Sequence, residues 1–167
     1  MRHIIGILLQ NESGALSRVA ALFSSRGYNI ESLSVAATDD PSLSRITLVT
    51  KGPEAVIHQI VTQLHKLIDV VAADDMTGED HLERELAILK LRLRPGQRDA
   101  IRALVEDASG RVLAEEPDCV VVELTSSEAA ITELTQRLAA QAELLEIVRS
   151  GALAMSRQER ILHVVES

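Results

Sequence analysis

Aromatic side chains are almost absent from this sequence. Phe23 and Tyr28 are the only two among 167 residues, and there is no tryptophan. The core must therefore be built from Leu, Ile, Val and Ala, which fits a hydrophobic content of 46%. Because stacking on nucleobases, sugars or quaternary ammonium groups needs aromatic rings, the shortage favours small polar or aliphatic ligands.

Positive charge and long apolar runs are also scarce. The chain has 17 Lys and Arg against 25 Asp and Glu, a net charge of −8, so it offers little cationic surface for phosphates. Nucleic acid is therefore not an expected partner. No apolar run reaches the ~20 residues of a membrane span, and the start Met1-Arg2-His3 leads into a strand pattern rather than a signal peptide. We expect a cytoplasmic protein without a membrane partner.

Residues that carry metal or covalent chemistry are few and scattered. The single cysteine, Cys119, stands in a valine run that predicts a buried apolar role. The adjacent Glu115 and Glu116 would point to opposite faces of a strand. They are therefore poorly placed to act together as the general acid and general base of a catalytic site. No two of the five histidines stand at the spacing typical of metal ligands, so no metal site is expected. They are His3, His58, His65, His81 and His163. With no phosphate loop and no nucleophile elbow, the sequence predicts a protein that is not an enzyme.

The first half of the chain predicts one βαββαβ unit. Leu16, Val19 and Phe23 form the apolar stripe of a helix that Gly27 ends. The expected order is strand 3–10, that helix, strands 29–38 and 43–51, a helix that begins near Pro53, and strand 67–73.

The second half repeats this order. It predicts strand 82–94, a helix ending near Gly110, hairpin strands 111–115 and 118–125, a helix around Ile131, strand 144–154 and a short terminal helix over 157–165. The fold class is therefore α+β, with two tandem ferredoxin-like βαββαβ domains whose antiparallel sheets carry helices on one face. The domains span 1–76 and 82–167, joined by a linker at 77–81. Because open sheet faces and edges need cover, we expect a homodimer.

The turn between the first strand and helix is the candidate ligand site. A helix N-terminus offers unpaired N–H groups and about +0.5 of dipolar charge, which attract a carboxylate, and Gly14 would let one approach. Asn11 and Asn29 add amides that suit an ammonium group, so a free amino acid is the matching ligand. The alternatives are that Asn11 is only a helix cap, Gly14 only a turn residue and Asn29 only exposed. The second repeat lacks both asparagines, so the site is placed in the first.

Five stretches resemble a known family: 9–19, 23–33, 39–45, 63–67 and 148–151. They are similar to the small regulatory subunit of acetohydroxyacid synthase, also called acetolactate synthase, whose first half is an ACT domain. The resemblance implies a subunit without catalytic activity of its own, acting in branched-chain amino-acid biosynthesis. The catalytic partner would carry thiamine diphosphate, FAD and Mg²⁺, and this chain no cofactor.

The same resemblance implies a regulatory role and an effector site. The chain would raise the activity of the catalytic subunit and confer feedback inhibition, most often by valine, bound between the ACT domains of a homodimer. One protomer would contribute Asn11, Gly14, Ala15 and Leu16, and the other Asn29 and Ile30. The alternatives are a stand-alone amino-acid sensor that controls another enzyme or a transcription factor, and a dimerisation module with an empty bay.

Overall fold

The computed structural model describes residues 1–158 and 162, which fall into two compact units. Unit 1 comprises residues 1–82 and the described residues from 152 onward, and unit 2 comprises residues 83–151. Unit 1 contains β1 (Arg2–Gln10), α1 (Ala15–Ser24), β2 (Ile30–Ala37), β3 (Leu43–Lys51), α2 (Glu54–Leu64), β4 (Val70–Asp75) and a late strand, β9 (Leu153–Ser156). The strand β5 (His81–Arg92) runs from unit 1 into unit 2. The other elements of unit 2 are α3 (Arg98–Asp107), β6 (Arg111–Glu116), β7 (Cys119–Ser126), α4 (Glu128–Gln141) and β8 (Glu143–Arg149).

The sheet of unit 1 has the order β2-β3-β1-β4, and neighbouring strands are antiparallel. Alternate residues of β1 face opposite sides, as the pleat requires. Ile5, Ile7 and Leu9 pack against the two helices in the main core. Ile4 belongs to a second cluster on the opposite face of the sheet. The predicted ferredoxin-like order is thereby confirmed for this unit.

The helices of unit 1 are held by the apolar stripes seen in the sequence. Val19 and Phe23 of α1 and Ile57, Ile60 and Leu64 of α2 are buried in the main core. Burying one such side chain stabilises the fold by about 1.5–3 kcal/mol, so the stripe rather than helix propensity fixes both helices on the sheet.

Unit 2 repeats the architecture with the sheet order β6-β7-β5-β8. Its core contains Leu89 and Leu91 of β5, Val122 of β7, Ile101 of α3 and Leu138 of α4. The helix α4 starts at a capped end, because the Oγ of Ser127 accepts a hydrogen bond from the backbone N–H of Ala130 at 3.3 Å.

The strand predicted over 144–154 is wrong as a single element. The chain instead forms β8 and β9, and between them Gly151 adopts φ +78°, a left-handed conformation that interrupts a strand. Ala152 and Ala154 then return to unit 1, where they pack with Ile4, Val49 and Met76. The domain limits 1–76 and 82–167 and the linker 77–81 stay predictions, and the terminal helix expected over 157–165 falls largely outside the described residues.

Candidate amino-acid site

The candidate site starts in the turn that links β1 to α1. The backbone N–H of Asn11 donates to the carbonyl of Ser42 at 2.7 Å, and its side-chain Nδ2 donates to the carbonyl of Pro41 at 3.1 Å. These two bonds attach the turn to the connection between β2 and β3. The side-chain oxygen of Asn11 therefore remains as the acceptor that this exposed residue can offer to a ligand.

Gly14 stands at the N-cap of α1 with φ +82° and ψ −8°. A side chain in this left-handed conformation is strained, which accounts for glycine here. Glycine supplies no capping side chain, and the N–H of Ala15 donates to the carbonyl of Glu12 at 3.2 Å. The N–H groups of the next residues in the first turn are therefore the ones that an acceptor from outside can use. Of the next two residues, Ala15 has its side chain buried in the core, whereas Leu16 is 37% exposed. Ala15 can therefore contribute only backbone atoms to this surface.

Arg18 and Asp69 form an ion pair next to this turn, which the sequence reasoning missed. The Nε and Nη2 atoms of Arg18 donate to the two carboxylate oxygens of Asp69 at 2.5 and 3.0 Å. The hydrogen bond from Arg18 holds the pKa of Asp69 below its usual value, and the same bond raises the pKa of Arg18. The remaining nitrogen, Nη1, lies 2.9 Å from the point where a residue at 14 would place its Cβ. A cation therefore adjoins the N-terminus of α1.

Ile30 is the first residue of β2, and Asn29 directly precedes it. Asn29 is exposed, its Nδ2 donates to Glu31 at 3.4 Å, and its carbonyl accepts a bond from the hydroxyl of Thr50 at 2.7 Å. Ile30 is half-buried and packs against the main core. Both residues are thus held at a fixed position on the edge strand of the sheet.

The structure does not bring these two halves of the candidate site together within one chain. Gln10, next to Asn11, pairs with Leu43 of β3, whereas Ile30 pairs with Thr50. Leu43 and Thr50 are seven residues apart on one strand, which at about 3.3 Å per residue is about 23 Å. Asn11, Gly14, Ala15 and Leu16 therefore lie near one end of the sheet, and Asn29 and Ile30 near the other. An amino acid is too small to span that distance.

The corresponding turn of unit 2 is built differently. Arg98, on the first turn of α3, donates through Nη2 to the carbonyls of Glu116 and Pro117 at 2.7 and 2.8 Å. Arg98 and Arg102 also bind Glu115, and mainly the bond from Arg102 keeps the pKa of Glu115 low. Protein side chains thus already engage the end of unit 2 that would match the candidate site.

The described part of the chain holds no group of three or more His, Cys, Asp or Glu side chains placed to hold a metal ion. Cys119 is half-buried at the start of β7 rather than fully buried. Across residues 1–158 and 162, no helix combines the length and the apolar character needed to cross a membrane.

Comparison with known proteins first defines the class of the protein. Residues 5–72 match the family model described as the AHAS small subunit-like ACT domain, so unit 1 contains an ACT domain of this type. Residues 84–158 match a second model, described as the small subunit of acetolactate synthase. Both matches are to one kind of protein, and together they cover most of the sequence.

Whole-chain relatives then identify the particular family. The chain is 42% identical over 162 residues to the acetolactate synthase isozyme 3 small subunit of Escherichia coli, covering 97% of this chain and 99% of that protein. It is also 42% identical to the acetolactate synthase small subunit of Haemophilus influenzae, covering 96% and 98% of the two chains. The crystal structure of the Thermotoga maritima small subunit superposes with a TM-score of 0.85 at 32% identity, covering 96% of this chain and 99% of that one. The chain belongs to the acetolactate synthase small-subunit family.

Proposed function

We propose that this chain is the regulatory subunit of acetolactate synthase, which raises the activity of the catalytic subunit and lets a branched-chain amino acid, valine first, inhibit it. Family membership supports a role beside a catalytic subunit. That subunit would carry thiamine diphosphate, FAD and Mg²⁺ and would catalyse the condensation of two 2-ketoacids. The present chain would contribute binding and regulation.

The separation of Asn11 from Asn29 carries the proposal that the effector site is shared between two copies. β2 is the edge strand of its sheet, and its Val35 is 43% exposed. Edge strands pair readily with another chain. If two β2 strands pair antiparallel about their midpoint, Ile30 of the partner subunit lies opposite Ala37, and Asn29 of the partner subunit lies near Thr38.

That pairing would bring the two halves of the candidate site together into one bay, with Asn11 to Leu16 from one chain and Asn29 and Ile30 from the other. Thr38 begins the connection to β3 that includes Pro41 and Ser42, the residues bonded to Asn11. The partner's Asn29 thereby comes to the end of the sheet at which α1 starts. Two-fold symmetry repeats the contact, so a dimer would have two equivalent sites. Each site would contain Asn11 of one chain and Asn29 of the other.

The chemistry of the completed bay suits an aliphatic amino acid. Its carboxylate would accept bonds from the N–H groups in the first turn of α1, where the helix dipole adds about half a positive charge. Its ammonium would donate to the side-chain oxygen of Asn11 and to the partner's Asn29. Its side chain would lie against Leu16 and Ile30, which are both aliphatic and partly exposed.

Regulation then follows from the shared position of the ligand. An effector that bridges two chains binds one dimer arrangement better than another and shifts the population by that difference in affinity. Typical coupling free energies are about 1–3 kcal/mol, which corresponds to roughly 5- to 150-fold control. The catalytic subunit would respond to the favoured arrangement.

Mixing two variants that cannot bind valine tests directly whether the site is shared between two chains. Asn11→Ala and Asn29→Ala dimers should each bind no valine by calorimetry. After subunit exchange, half of the dimers are mixed, and each mixed dimer has one intact site, so about a quarter of the wild-type capacity should return. Sites formed within one chain would recover nothing on mixing. That result would refute the shared site.

Reconstitution tests the regulatory role. The wild-type chain added to an acetolactate synthase catalytic subunit should raise its rate, and valine should then lower it. Valine binding without any effect on that enzyme would instead favour a sensor for another target. No binding of valine, leucine or isoleucine would refute the amino-acid proposal and leave the dimerisation module.

A further inference from the structure

The face of the unit 1 sheet opposite the helices is covered by the chain's own late segment. We call residues 152–156, which include β9, the strap. Its Ala152 and Ala154 are only 3% and 7% exposed, because they pack with Ile4, Val49 and Met76. The strap is therefore part of the packed structure of unit 1.

Two side chains of β3 bind the backbone of the strap at one residue. Arg45 donates through Nη2 to the carbonyl of Ala154 at 3.3 Å, and the hydroxyl of Thr47 accepts the N–H of Ala154 at the same distance. Both polar groups of one strap peptide position are thus satisfied by the sheet. We refer to Arg45 and Thr47 as the clamp.

The sheet makes room for the guanidinium of the clamp. A Cβ built on Gly6 would lie 2.7 Å from Nη2 of Arg45 and 3.1 Å from the sulfur of Met76. The absence of a side chain at position 6 therefore lets Arg45 lie close over β1. Burial lowers the pKa of Arg45, as expected for a cation placed against an apolar face.

Besides the pairing of β9 with β5, the side chains of the unit 1 sheet hold the strap only weakly. Its two buried side chains are alanines, which bury little apolar area, and both clamp bonds are long. A cavity of about 300 Å³ lies beside it, lined by residues that include Leu8, Arg45, Met76 and Met155. Because these contacts belong to a cluster separate from the main core, loss of the clamp bonds would loosen the strap without unfolding that core.

The strap also has a distinctive position along the chain. The chain passes between the units at two places, within β5 at Leu82–Glu83 and between Gly151 and Ala152. The second crossing leads directly from β8 of unit 2 into the strap, and β9 pairs with β5. The strap is therefore the segment through which the chain re-enters unit 1.

We propose that the strap, held by the clamp of Arg45 and Thr47, transmits effector binding in unit 1 to unit 2. The inference rests on the function proposed above and adds the route of regulation. Arg45 and Thr47 are positioning residues in this scheme, because they act through the strap and contact no ligand. Releasing the strap should separate inhibition from binding.

The test uses full-length Arg45→Met, with Arg92→Met as the matched control. Arg92 forms an exposed ion pair with Glu143 at 3.1 Å, so the control removes one cation without touching the strap. In Arg45→Met, hydrogen exchange of the strap amides should accelerate by about tenfold or more. Valine affinity should stay within about threefold of wild type, and the oligomeric state should not change. Valine should nevertheless inhibit the reconstituted enzyme far less than it does with the wild-type chain.

Thr47→Val supplies a second variant that keeps the shape of the side chain and replaces its hydroxyl, which accepts the strap N–H, with a methyl group. It should show the same separation of binding from inhibition to a smaller extent. Arg92→Met should behave as wild type in all four measurements.

Each contrary result has a distinct meaning. Unchanged strap exchange in both variants would overturn the clamp, and full inhibition despite rapid strap exchange would overturn the transmission. Loss of valine binding in either variant would also overturn it, because the strap would then belong to the binding site. Absence of binding in the wild-type chain would instead refute the proposed function.

Discussion

Replacement of Gly14 by glutamate tests the proposed effector site at its most constrained residue. The change places a side chain at φ +82° and a negative charge where the ligand carboxylate is expected. At an effective dielectric constant of about 20, two carboxylates ~5 Å apart repel by roughly 3 kcal/mol. The neighbouring Arg18 offsets part of this repulsion, although its guanidinium must first shift, because its Nη1 lies only 2.9 Å from the new Cβ position. We expect valine affinity to fall by at least about tenfold, which corresponds to 1.4 kcal/mol.

The fold should survive this substitution. The left-handed backbone costs a non-glycine residue about 1–2 kcal/mol, and a carboxylate near a helix N-terminus returns a few tenths to ~1 kcal/mol. Gly14→Glu should therefore still activate the catalytic subunit, while valine no longer inhibits at its wild-type midpoint.

The chain provides two matched controls for Gly14→Glu. Gly14→Gln shares the backbone strain and the size of the glutamate side chain but not its charge, so the difference between the variants isolates the electrostatic effect. Gly96→Glu introduces the same residue at φ +85° in the corresponding turn of unit 2, where a Cβ meets nothing within 4 Å. It should lose similar stability but keep wild-type affinity for valine, measured by calorimetry. Retained inhibition with an unchanged midpoint in Gly14→Glu would show that Gly14 does not line the site.

Three further predictions concern stability, measured by urea unfolding. Arg18→Met should destabilise the protein at neutral pH, because Asp69, whose side chain is 8% exposed, loses its partner. The folded-state pKa of Asp69 lies below its unfolded value, so the stability from this pair is present above the usual aspartate range and is lost as pH falls through the folded pKa. A wild-type advantage that does not shrink as the solution is acidified below the usual aspartate range would contradict this. Arg149→Met should cost about 3 kcal/mol by stranding the buried Glu85, which it binds through two bonds of 2.8 Å, and Glu85→Met in the same chain should recover part of the loss. Gly110→Ala should cost about 1–3 kcal/mol, because its Cβ would lie 2.8 Å from the carbonyl of Glu123, while an unchanged midpoint would show that β7 can move aside.

Local patterns predicted much of the fold. The expected strand 43–51 coincides with β3, since a turn at Asp40-Pro41 precedes it and Gly52-Pro53 follows it. The stripe of Leu16, Val19 and Phe23 placed α1 correctly, although Leu16 proved to be the exposed margin of that stripe. Such features depend on neighbours a few residues apart, so they are readable from sequence.

The candidate site depended on pairings that sequence reasoning could not supply. The bond from Asn11 to Pro41 joins residues 30 apart, and the ion pair of Arg18 and Asp69 joins residues 51 apart. The one local signal for the ion pair was an acidic residue inside the apolar run 67–73. Register likewise decided that Asn11 and Asn29 lie at opposite ends of the sheet, which no spacing along the chain reveals.

The late return of the chain changes how unit 1 must be studied. The glycine at position 151 is a common signal of a strand break, but the apolar residues on either side led to the prediction of one strand over 144–154. Because Ala152 and Ala154 cover Ile4 and Val49, a fragment that ends at Gly78 would lack part of its own packed structure. It would expose an apolar sheet face, which favours association with other copies. Failure of such a fragment to bind valine would therefore reflect the missing strap as readily as the missing unit 2, and point substitutions in the full chain are needed to separate the two.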